Sequence, residues 1–232
     1  MQTTTALPPG QRAVEGFPRF GTHLHLPPPP VPDAPALEVG GAVTMPFSIP
    51  LADLGELPRR EITADFHCVA GWSATGLRWE GVPFEAFYRG VIEPMVEPGA
   101  TITHVVFGCL DGYRVGVLIE DALQDDVLIA EHLDGRPIDG DHGAPLRLVS
   151  PQQYGFINAK HLCLIEVHTS APEDRFVGHR TSELFLRLYA RHPRARVWEE
   201  ERHRYLPAWT VRLLGRAMIG RIMRLSNRGH PR

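Results

Sequence analysis

The stretch that decides the fold is residues 141–160, Asp-His-Gly-Ala-Pro-Leu-Arg-Leu-Val-Ser-Pro-Gln-Gln-Tyr-Gly-Phe-Ile-Asn-Ala-Lys. Residues 146–150, and the residues 161–167 that follow the stretch, are apolar and rich in β-branched side chains. This pattern predicts two strands joined by a loop that contains a glycine. The glycine lets backbone N–H groups of the loop approach an anion.

Three basic side chains in this stretch suit a phosphorylated ligand when taken together. Arg147 can hold a phosphate with two parallel hydrogen bonds, and Lys160, the one lysine of the chain, supplies a compact positive charge. His142 lies five residues before Arg147. For each of the three taken alone, a solvated surface charge is the commoner interpretation.

A second informative stretch is Asp-Phe-His-Cys-Val-Ala-Gly-Trp-Ser at residues 65–73. The alternation over residues 61–68 predicts a strand that ends at Cys68. A thiolate is a soft metal ligand, and a lone cysteine holds neither zinc nor an iron–sulfur cluster by itself. Cys68 would complete the coordination of a metal whose other ligands come from an organic cofactor. The alternatives are a buried free cysteine, which spacing alone favours, and a nucleophilic thiol. Neighbours in a strand point to opposite faces, so His67 is a poor activating partner.

A turn at residues 111–113 separates two further predicted strands, 104–109 and 113–119. Tyr113 at the mouth of this turn can donate a hydrogen bond or move a proton. A half-buried aromatic ring with a satisfied hydroxyl is the commoner case.

The remaining pattern divides the chain into three parts. Residues 1–36 are rich in proline and predict an extended arm that wraps over a domain. Residues 37–172 predict further strands at 37–43 and 127–133, a loop at 70–76, and short helices at 51–57 and 83–91. The resulting fold class is α+β with a mixed or antiparallel sheet. Residues 173–232 predict a basic tail with helices at 182–190 and 207–225.

The tail has two interpretations. After Glu201 the chain carries arginines and no acidic residue. The helix either packs its apolar face on the body, or lies on anionic lipid or docks on a redox partner.

Composition narrows the class of protein. Hydrophobic residues make up 43% of the chain, which supports a buried core, and the net charge of −3 does not favour nucleic acid. Three cysteines without a CxxC pair argue against a structural zinc site and against a disulfide framework. The first residues show no basic segment followed by an apolar one, so we expect no signal peptide and a cytoplasmic location.

Taken in order from about residue 17 to residue 167, these stretches resemble the sulfite oxidase superfamily of molybdopterin-binding oxidoreductases. The resemblance is carried by Cys-Val-Ala-Gly-Trp-Ser, then Asp-Gly-Tyr with Leu-Ile-Glu-Asp-Ala-Leu, then His-Gly-Ala-Pro-Leu-Arg-Leu-Val-Ser-Pro with Tyr-Gly-Phe and Lys-His-Leu. It implies a mixed-sheet molybdopterin-binding domain and a molybdenum–molybdopterin cofactor. It places Cys68 as the metal ligand and Tyr113 beside the metal. It assigns the following residues to the cofactor: Arg19, Phe20, Cys68, Cys109, His142, Arg147, Asn158, Ala159 and Lys160.

The resemblance also has limits. Sulfite oxidases follow the cysteine with Ala-Gly-Asn-Arg-Arg, and this chain has Val-Ala-Gly-Trp-Ser, so the likeness does not extend to the arginine-rich sulfite pocket. Only about 60 residues follow the last predicted strand, and they look helical, so we expect no immunoglobulin-like dimerisation domain.

The implied function is a two-electron oxidoreductase that moves an oxygen atom to or from a small sulfite- or sulfoxide-like substrate. An unidentified electron-transfer partner is required, because no second redox centre is visible. The alternatives are a non-catalytic module that binds a pterin or another phosphorylated ligand, and a redox subunit that docks on a membrane or an electron-transfer partner.

Overall fold

The computed structural model describes residues 6–19, 27–172, 176–177 and 191–213. Helices within these ranges are short. They are a 3₁₀ helix (Leu51–Glu56), α1 (Phe84–Phe87) with its π and 3₁₀ continuations (Tyr88–Ile92 and Glu93–Met95), α2 (Ile119–Ala122) and a helical turn at residues 208–213. The strands that dominate the described ranges are β1 (Ala36–Gly41), β2 (Phe47–Pro50), β3 (Arg60–His67), β4 (Ser73–Pro83), β5 (His104–Cys109), β6 (Arg114–Leu118), β7 (Leu128–Leu133), β8 (Arg136–Pro137), β9 (Arg147–Val149), β10 (Leu162–His168) and β11 (Phe176–Val177).

The first sheet has the order β11-β6-β5-β10-β1-β2. The β1 and β10 strands run parallel, with Glu38 beside Leu164, and the other neighbours are antiparallel. The sheet is therefore mixed, which confirms the predicted α+β class. The predicted strands at 37–43, 104–109, 113–119 and 161–167 are confirmed to within one or two residues.

The second sheet has the order β3-β4-β7-β8, with β9 also paired to β7, and all of these pairs are antiparallel. The sequence predicted a loop at 70–76 and no strand before the helix near Pro83, and this prediction was wrong, because β4 fills residues 73–83. Alternation is visible only around Leu77 and Trp79, since a bulge follows at Glu80 and Gly81. A Cβ at Gly81 would lie 2.0 Å from the Ile129 carbonyl oxygen, so the close strand approach there requires glycine.

Two apolar cores bury the two faces of the second sheet. The larger core contains residues of both sheets, such as Phe107, Ile129 and Ile165, and so holds the sheets together. The smaller core contains Cys68 and Trp79 on the opposite face of the second sheet. Each fully buried large side chain contributes about 1.5–3 kcal/mol to such a core.

The N-terminal arm covers the smaller core. Residues 12–14 pair with residues 71–73 in a short parallel arrangement, in which Val14 N–H donates to the Ser73 carbonyl at 2.9 Å. Val14 and Phe17 then pack against the core that contains Cys68. The arm is therefore a structural part of the Cys68 region.

The described part of the predicted tail is also built into the body. Ala195 and Val197 are fully buried in the larger core, and the Tyr154 N–H donates to the Ala195 carbonyl at 2.9 Å. Residues 191–207 are not helical, and the helix predicted from residue 207 begins at 208. The helix predicted at 182–190 and the arginines beyond 213 lie outside the described residues. In the described ranges, no helix combines the length and the hydrophobicity needed to cross a membrane.

Candidate cofactor site

Cys68 lies at the start of the tight connection between β3 and β4. Its N–H donates to the Trp72 carbonyl at 2.8 Å, and the Gly71 N–H donates back to the Cys68 carbonyl at 2.9 Å. The cysteine is free and buried, with 7% of its surface exposed. The hairpin therefore fixes the backbone that carries the thiol.

A chain of buried side chains braces this hairpin. The His67 Nδ1 lies 2.7 Å from the Ser73 Oγ, the Ser73 hydroxyl donates to the Gln11 Oε1 at 3.2 Å, and the Gln11 Nε2 donates to the Cys68 carbonyl at 3.1 Å. The chain is complete when His67 carries its proton on Nδ1. Burial lowers the pKa of His67, which favours this neutral ring. His67 thus braces the hairpin, whereas the sequence predicted only that it is a poor activating partner for Cys68.

Arg202 supplies a second brace, which the sequence did not reveal. Its side chain is fully buried and donates to the Val69 carbonyl at 2.6 Å and to the Pro9 carbonyl at 3.0 Å. The guanidinium lies 4.8 Å from the centre of the Tyr154 ring. One arginine therefore ties the C-terminal segment and the N-terminal arm to the loop that follows Cys68.

The environment of Cys68 sets the state of its thiol. Burial raises the pKa of Cys68 to about 12, and the Ala70 N–H and the positive charge of Arg202 lower it only in part. The protein alone therefore keeps the thiol protonated at neutral pH. A thiolate forms here when a metal replaces the proton. No group of three or more His, Cys, Asp or Glu side chains converges within the described part of the chain. A metal at Cys68 would thus need its other ligands from outside these residues.

Arg147 is the most unusual charged residue of the site. Its side chain is fully buried on β9, and its Nη1 donates to the His142 carbonyl at 2.8 Å. The Nε and Nη2 find no hydrogen-bond partner among the described residues. Burial lowers the pKa of Arg147 to about 9, so the group is still charged at neutral pH. The guanidinium is boxed by three aromatic rings, with its central carbon 4.8 Å from the ring centre of Trp79, 5.4 Å from Phe17 and 5.7 Å from Phe66.

Lys160 adds a second positive charge beside Arg147. The two residues form a backbone bridge, and the Lys160 Nζ donates to the Asp141 carbonyl at 2.7 Å. The pKa of Lys160 is lowered to about 7, mainly by burial. The positive charges of Arg147 and Arg19 also lower it, and the nearby carboxylates of Asp141 and Asp139 raise it by less. Arg19 itself forms an ion pair with the Asp141 carboxylate at 3.4 Å. The cluster therefore holds more positive charge than its own acids balance, which favours an anion.

His142 joins the arm to this cluster. Its Nδ1 lies 2.8 Å from the Asp139 carboxylate, its Nε2 lies 2.8 Å from the Phe17 carbonyl, and its ring stacks on Phe17. Both ring nitrogens are therefore engaged within the protein, and the side chain joins the arm to the loop.

The loop between β9 and β10 shapes the site through its backbone. Asn158 accepts from the Ser150 N–H at 2.8 Å and donates to the carbonyls of Ser150 and Gln153, and Ala159 is buried with its carbonyl bonded to the Leu148 N–H. The Asn158 side chain therefore braces the loop. A Cβ at Gly155 would fall 2.1 Å from the Phe66 ring, so glycine lets the loop touch the aromatic box.

Tyr113 lies on the other side of the same loop. Its hydroxyl donates to the Phe156 carbonyl at 2.6 Å and accepts from Arg191 at 2.9 Å. The adjacent Gly155 N–H donates to the His67 carbonyl at 2.8 Å, one residue before Cys68. Two successive loop residues thus connect the Tyr113 and Cys68 regions. Burial raises the pKa of Tyr113, so the phenol stays protonated.

The other two predicted residues are less informative. Cys109 is buried in the larger core, and burial raises its pKa well above the usual range, with the Asp111 charge acting in the same direction. Its side chain lies in a different core from Cys68. Phe20 lies outside the described residues.

The donor set fits a metal–pterin group that carries a phosphate. The fit rests on the buried guanidinium nitrogens of Arg147 without partners, on the charge of Lys160 beside them, and on the soft thiol of Cys68. Phe66 links the two parts, because it packs on the core that contains Cys68 and its ring borders the Arg147 guanidinium.

Comparison with known proteins gives an independent view of the chain. A family model described as the oxidoreductase molybdopterin binding domain matches residues 24–176. The chain is 30% identical over 163 residues to the protein-methionine-sulfoxide reductase catalytic subunit MsrP of Xanthomonas axonopodis pv. citri, covering 63% of this chain and 49% of that protein. It is 30% identical over 200 residues to the mitochondrial sulfite oxidase of Homo sapiens, covering 74% of this chain and 36% of that protein.

A solved structure shares the fold. The sulfane dehydrogenase SoxCD from Paracoccus pantotrophus matches with a TM-score of 0.51 at 23% identity, covering 61% of this chain and 40% of that chain. The chain spans about half or less of the length of each of these three proteins.

Proposed function

Because the chain belongs to the family of oxidoreductase molybdopterin-binding domains, we propose that it is a molybdenum–molybdopterin enzyme that transfers an oxygen atom to or from a small substrate. The substrate class is sulfite-like or sulfoxide-like, since relatives named for sulfite oxidation and for methionine sulfoxide reduction match the chain about equally well. When bound, the cofactor supplies a redox metal able to exchange an oxygen atom and two electrons with the substrate.

The observation that carries this proposal is the state of Arg147. A fully buried arginine with two guanidinium nitrogens that find no partner among the described residues is costly, since buried polar groups are normally paired. An anion with parallel acceptor oxygens removes this cost, and a phosphate is such a group. Lys160 beside it gains charge as the anion binds, because the pKa of about 7 in the free protein rises next to a negative charge.

Cys68 is the proposed protein ligand to the metal. Its backbone is held by the hairpin bonds, by Gln11 and, through Val69, by Arg202. This bracing fixes the direction of the thiol before a metal arrives and so limits the entropy lost on binding. The high pKa of the free thiol means that its proton leaves as the metal binds.

Tyr113 is the proposed residue on the substrate side. Its hydroxyl is oriented by Arg191 and by the Phe156 carbonyl, and its raised pKa keeps the proton on oxygen. It can therefore donate a hydrogen bond to a substrate oxygen after leaving the Phe156 carbonyl. Arg191 lies 5.8 Å from the centre of the Tyr113 ring and adds positive charge on this side.

An electron-transfer partner is part of the proposal. The reaction moves two electrons, and the described residues offer no group of three or more metal-ligating side chains that could hold a further redox centre. One matching relative is named a catalytic subunit, which supports a separate partner for this chain as well.

The testing experiment measures turnover in protein made by a host that synthesises the molybdenum cofactor. Sulfite oxidation is followed with an oxidising dye, and methionine sulfoxide reduction with a reduced viologen. We expect one of the two activities, and at least a hundredfold loss in Cys68→Ser. The matched control is Cys163→Ser, which changes the half-buried thiol on β10 and should keep the activity. Cofactor-loaded protein that turns over neither substrate would favour the non-catalytic binding module.

A further inference from the structure

The described end of the chain carries a concentration of exposed apolar side chains. Seven large hydrophobic residues are substantially exposed in the described ranges, and five of them lie between residues 198 and 213. We call these five the aromatic face. Its members, 45–73% exposed, are Trp198, Tyr205, Leu206, Trp209 and Leu213. A concentration of exposed apolar side chains in one segment favours an interaction surface, whereas single exposed apolar residues need no explanation.

The aromatic face sits on a firmly attached segment. Val211 points inward from the helical turn and is buried, whereas Trp209 and Leu213, four residues apart, share its outer side. Val211 belongs to the apolar face that the sequence predicted for the helix beginning near residue 207, and its burial shows that this part of the face packs on the body. Trp209 and Leu213 form a second apolar side of the helical turn, which the sequence did not predict.

An ion pair joins the two parts of the aromatic face. Arg212 in the helical turn lies 3.5 Å from the Glu200 carboxylate, next to the turn that carries Trp198. Arg202, two residues after Glu200, is buried and anchors this C-terminal segment by donating to the Val69 and Pro9 carbonyls. The exposed side chains therefore project from a supported backbone.

The sequence after Glu201 carries charge of one sign. It has no acidic residue, and it has eight arginines, at positions 202, 204, 212, 216, 221, 224, 228 and 232. The three glutamates just before it lie within ion-pair distance of two arginines, Glu199 and Glu201 of Arg196 and Glu200 of Arg212. Exposed Arg204 stacks on the Tyr205 ring at 5.5 Å.

We propose that the aromatic face docks peripherally on an anionic lipid bilayer. Tryptophan and tyrosine favour the boundary between lipid headgroups and acyl chains, and arginine is attracted to anionic headgroups. A long segment of one charge sign complements a uniformly negative bilayer better than a protein surface, where both signs are interspersed. This docking is independent of the oxygen-transfer chemistry, and it brings the chain to a membrane surface.

The test is flotation of the full-length, cofactor-loaded protein with vesicles of phosphatidylcholine alone or with one third phosphatidylglycerol. We expect binding to the anionic vesicles only, weakened by salt. Trp209→Ser/Leu213→Ser should lower the partition coefficient at least tenfold, and Arg204→Gln roughly fivefold. The matched control is Val31→Ser/Met45→Ser, which removes the two exposed hydrophobic residues outside the aromatic face and should leave binding unchanged.

Tryptophan fluorescence gives a second readout. Trp72 and Trp79 are buried, so brominated acyl chains should quench Trp198 and Trp209, and Trp209→Phe should halve this quenching. Absence of binding to anionic vesicles, or equal binding by the Trp209/Leu213 variant, would overturn the proposal. So would a dimer in lipid-free solution that this variant dissociates, since a second copy would then occupy the face.

Discussion

Replacing Arg147 with methionine should have opposite effects on the cofactor-free and the cofactor-loaded protein. Burial lowers the pKa of this arginine far below its ordinary value, to about 9. At about 1.4 kcal/mol per pKa unit, the buried charge costs up to about 5 kcal/mol in the cofactor-free protein. Contacts with the aromatic rings and the bond to the His142 carbonyl return roughly 3 kcal/mol of this. The free energy of unfolding of cofactor-free Arg147→Met should therefore be about 2 kcal/mol higher than that of the parent protein.

The cofactor-loaded protein should respond in the other direction. Arg147→Met removes a guanidinium that meets a phosphate away from water, and breaking such a pair costs about 3–5 kcal/mol. Cofactor retention should weaken by two to three orders of magnitude. The assays are urea unfolding of protein made without cofactor, and molybdenum and pterin content after dialysis of protein made with it.

Arg202→Met is the matched control for the stability measurement. Arg202 is equally buried, but its two terminal nitrogens donate to the Val69 and Pro9 carbonyls. Removing it leaves two carbonyls unpaired and should destabilise the cofactor-free protein by about 2–4 kcal/mol. A cofactor-free Arg147→Met protein that is less stable than the parent, together with full cofactor retention, would refute the assignment of Arg147 as an anion receptor.

Three further predictions follow from the loop around Lys160. In cofactor-free protein the unfolded chain keeps the Lys160 proton up to about pH 10 while the folded chain loses it near pH 7. The free energy of unfolding of the parent, minus that of Lys160→Met, should thus rise by about 1.4 kcal/mol per pH unit between pH 7 and 10. If urea unfolding shows that this difference does not change with pH, the burial of the ammonium group is contradicted. Gly155→Ala should destabilise by roughly 1–3 kcal/mol, because its Cβ would fall 2.1 Å from the Phe66 ring, and an unchanged melting temperature would show that the contact is absent. Asn158→Ala should lower the free energy of unfolding by about 1–3 kcal/mol, measured by thermal unfolding, because it leaves the Ser150 N–H unpaired. Loss of pterin at unchanged stability would instead indicate that Asn158 contacts the cofactor directly.

Local sequence pattern predicted most of the long strands, with β4 as the exception, and the positions of Cys68, Arg147 and Lys160 in or beside strands. Arg147 and Lys160 were expected to act together, and the antiparallel bridge between them brings them together. Cys68 was expected at a strand end, and it follows the last residue of β3. These positions were predictable because each depends on residues close in the chain, where alternation and turn signals determine the geometry. The roles of these residues toward a ligand stay predictions.

The features that escaped prediction depend on distant parts of the chain. Arg202 contacts a carbonyl 133 residues away, and no pattern in the neighbouring sequence indicates that contact. Residues 195–197 fill the larger core although the tail composition suggested an appendage. Asn158 has the chemistry of a ligand-binding amide, and only the folded loop shows that Ser150 and Gln153 occupy it. The cytoplasmic location stays a prediction.

The central claim is that Cys68 holds the metal of a molybdenum–pterin cofactor. Metal analysis and pterin fluorescence of protein from a cofactor-producing host, beside Cys68→Ser and Cys163→Ser, test it most directly. We predict about one molybdenum and one pterin per chain in the parent and in Cys163→Ser, and loss of the metal, or a changed metal spectrum, in Cys68→Ser. Well-folded parent protein without molybdenum or pterin, or a Cys68→Ser protein with unchanged metal and spectrum, would contradict the account.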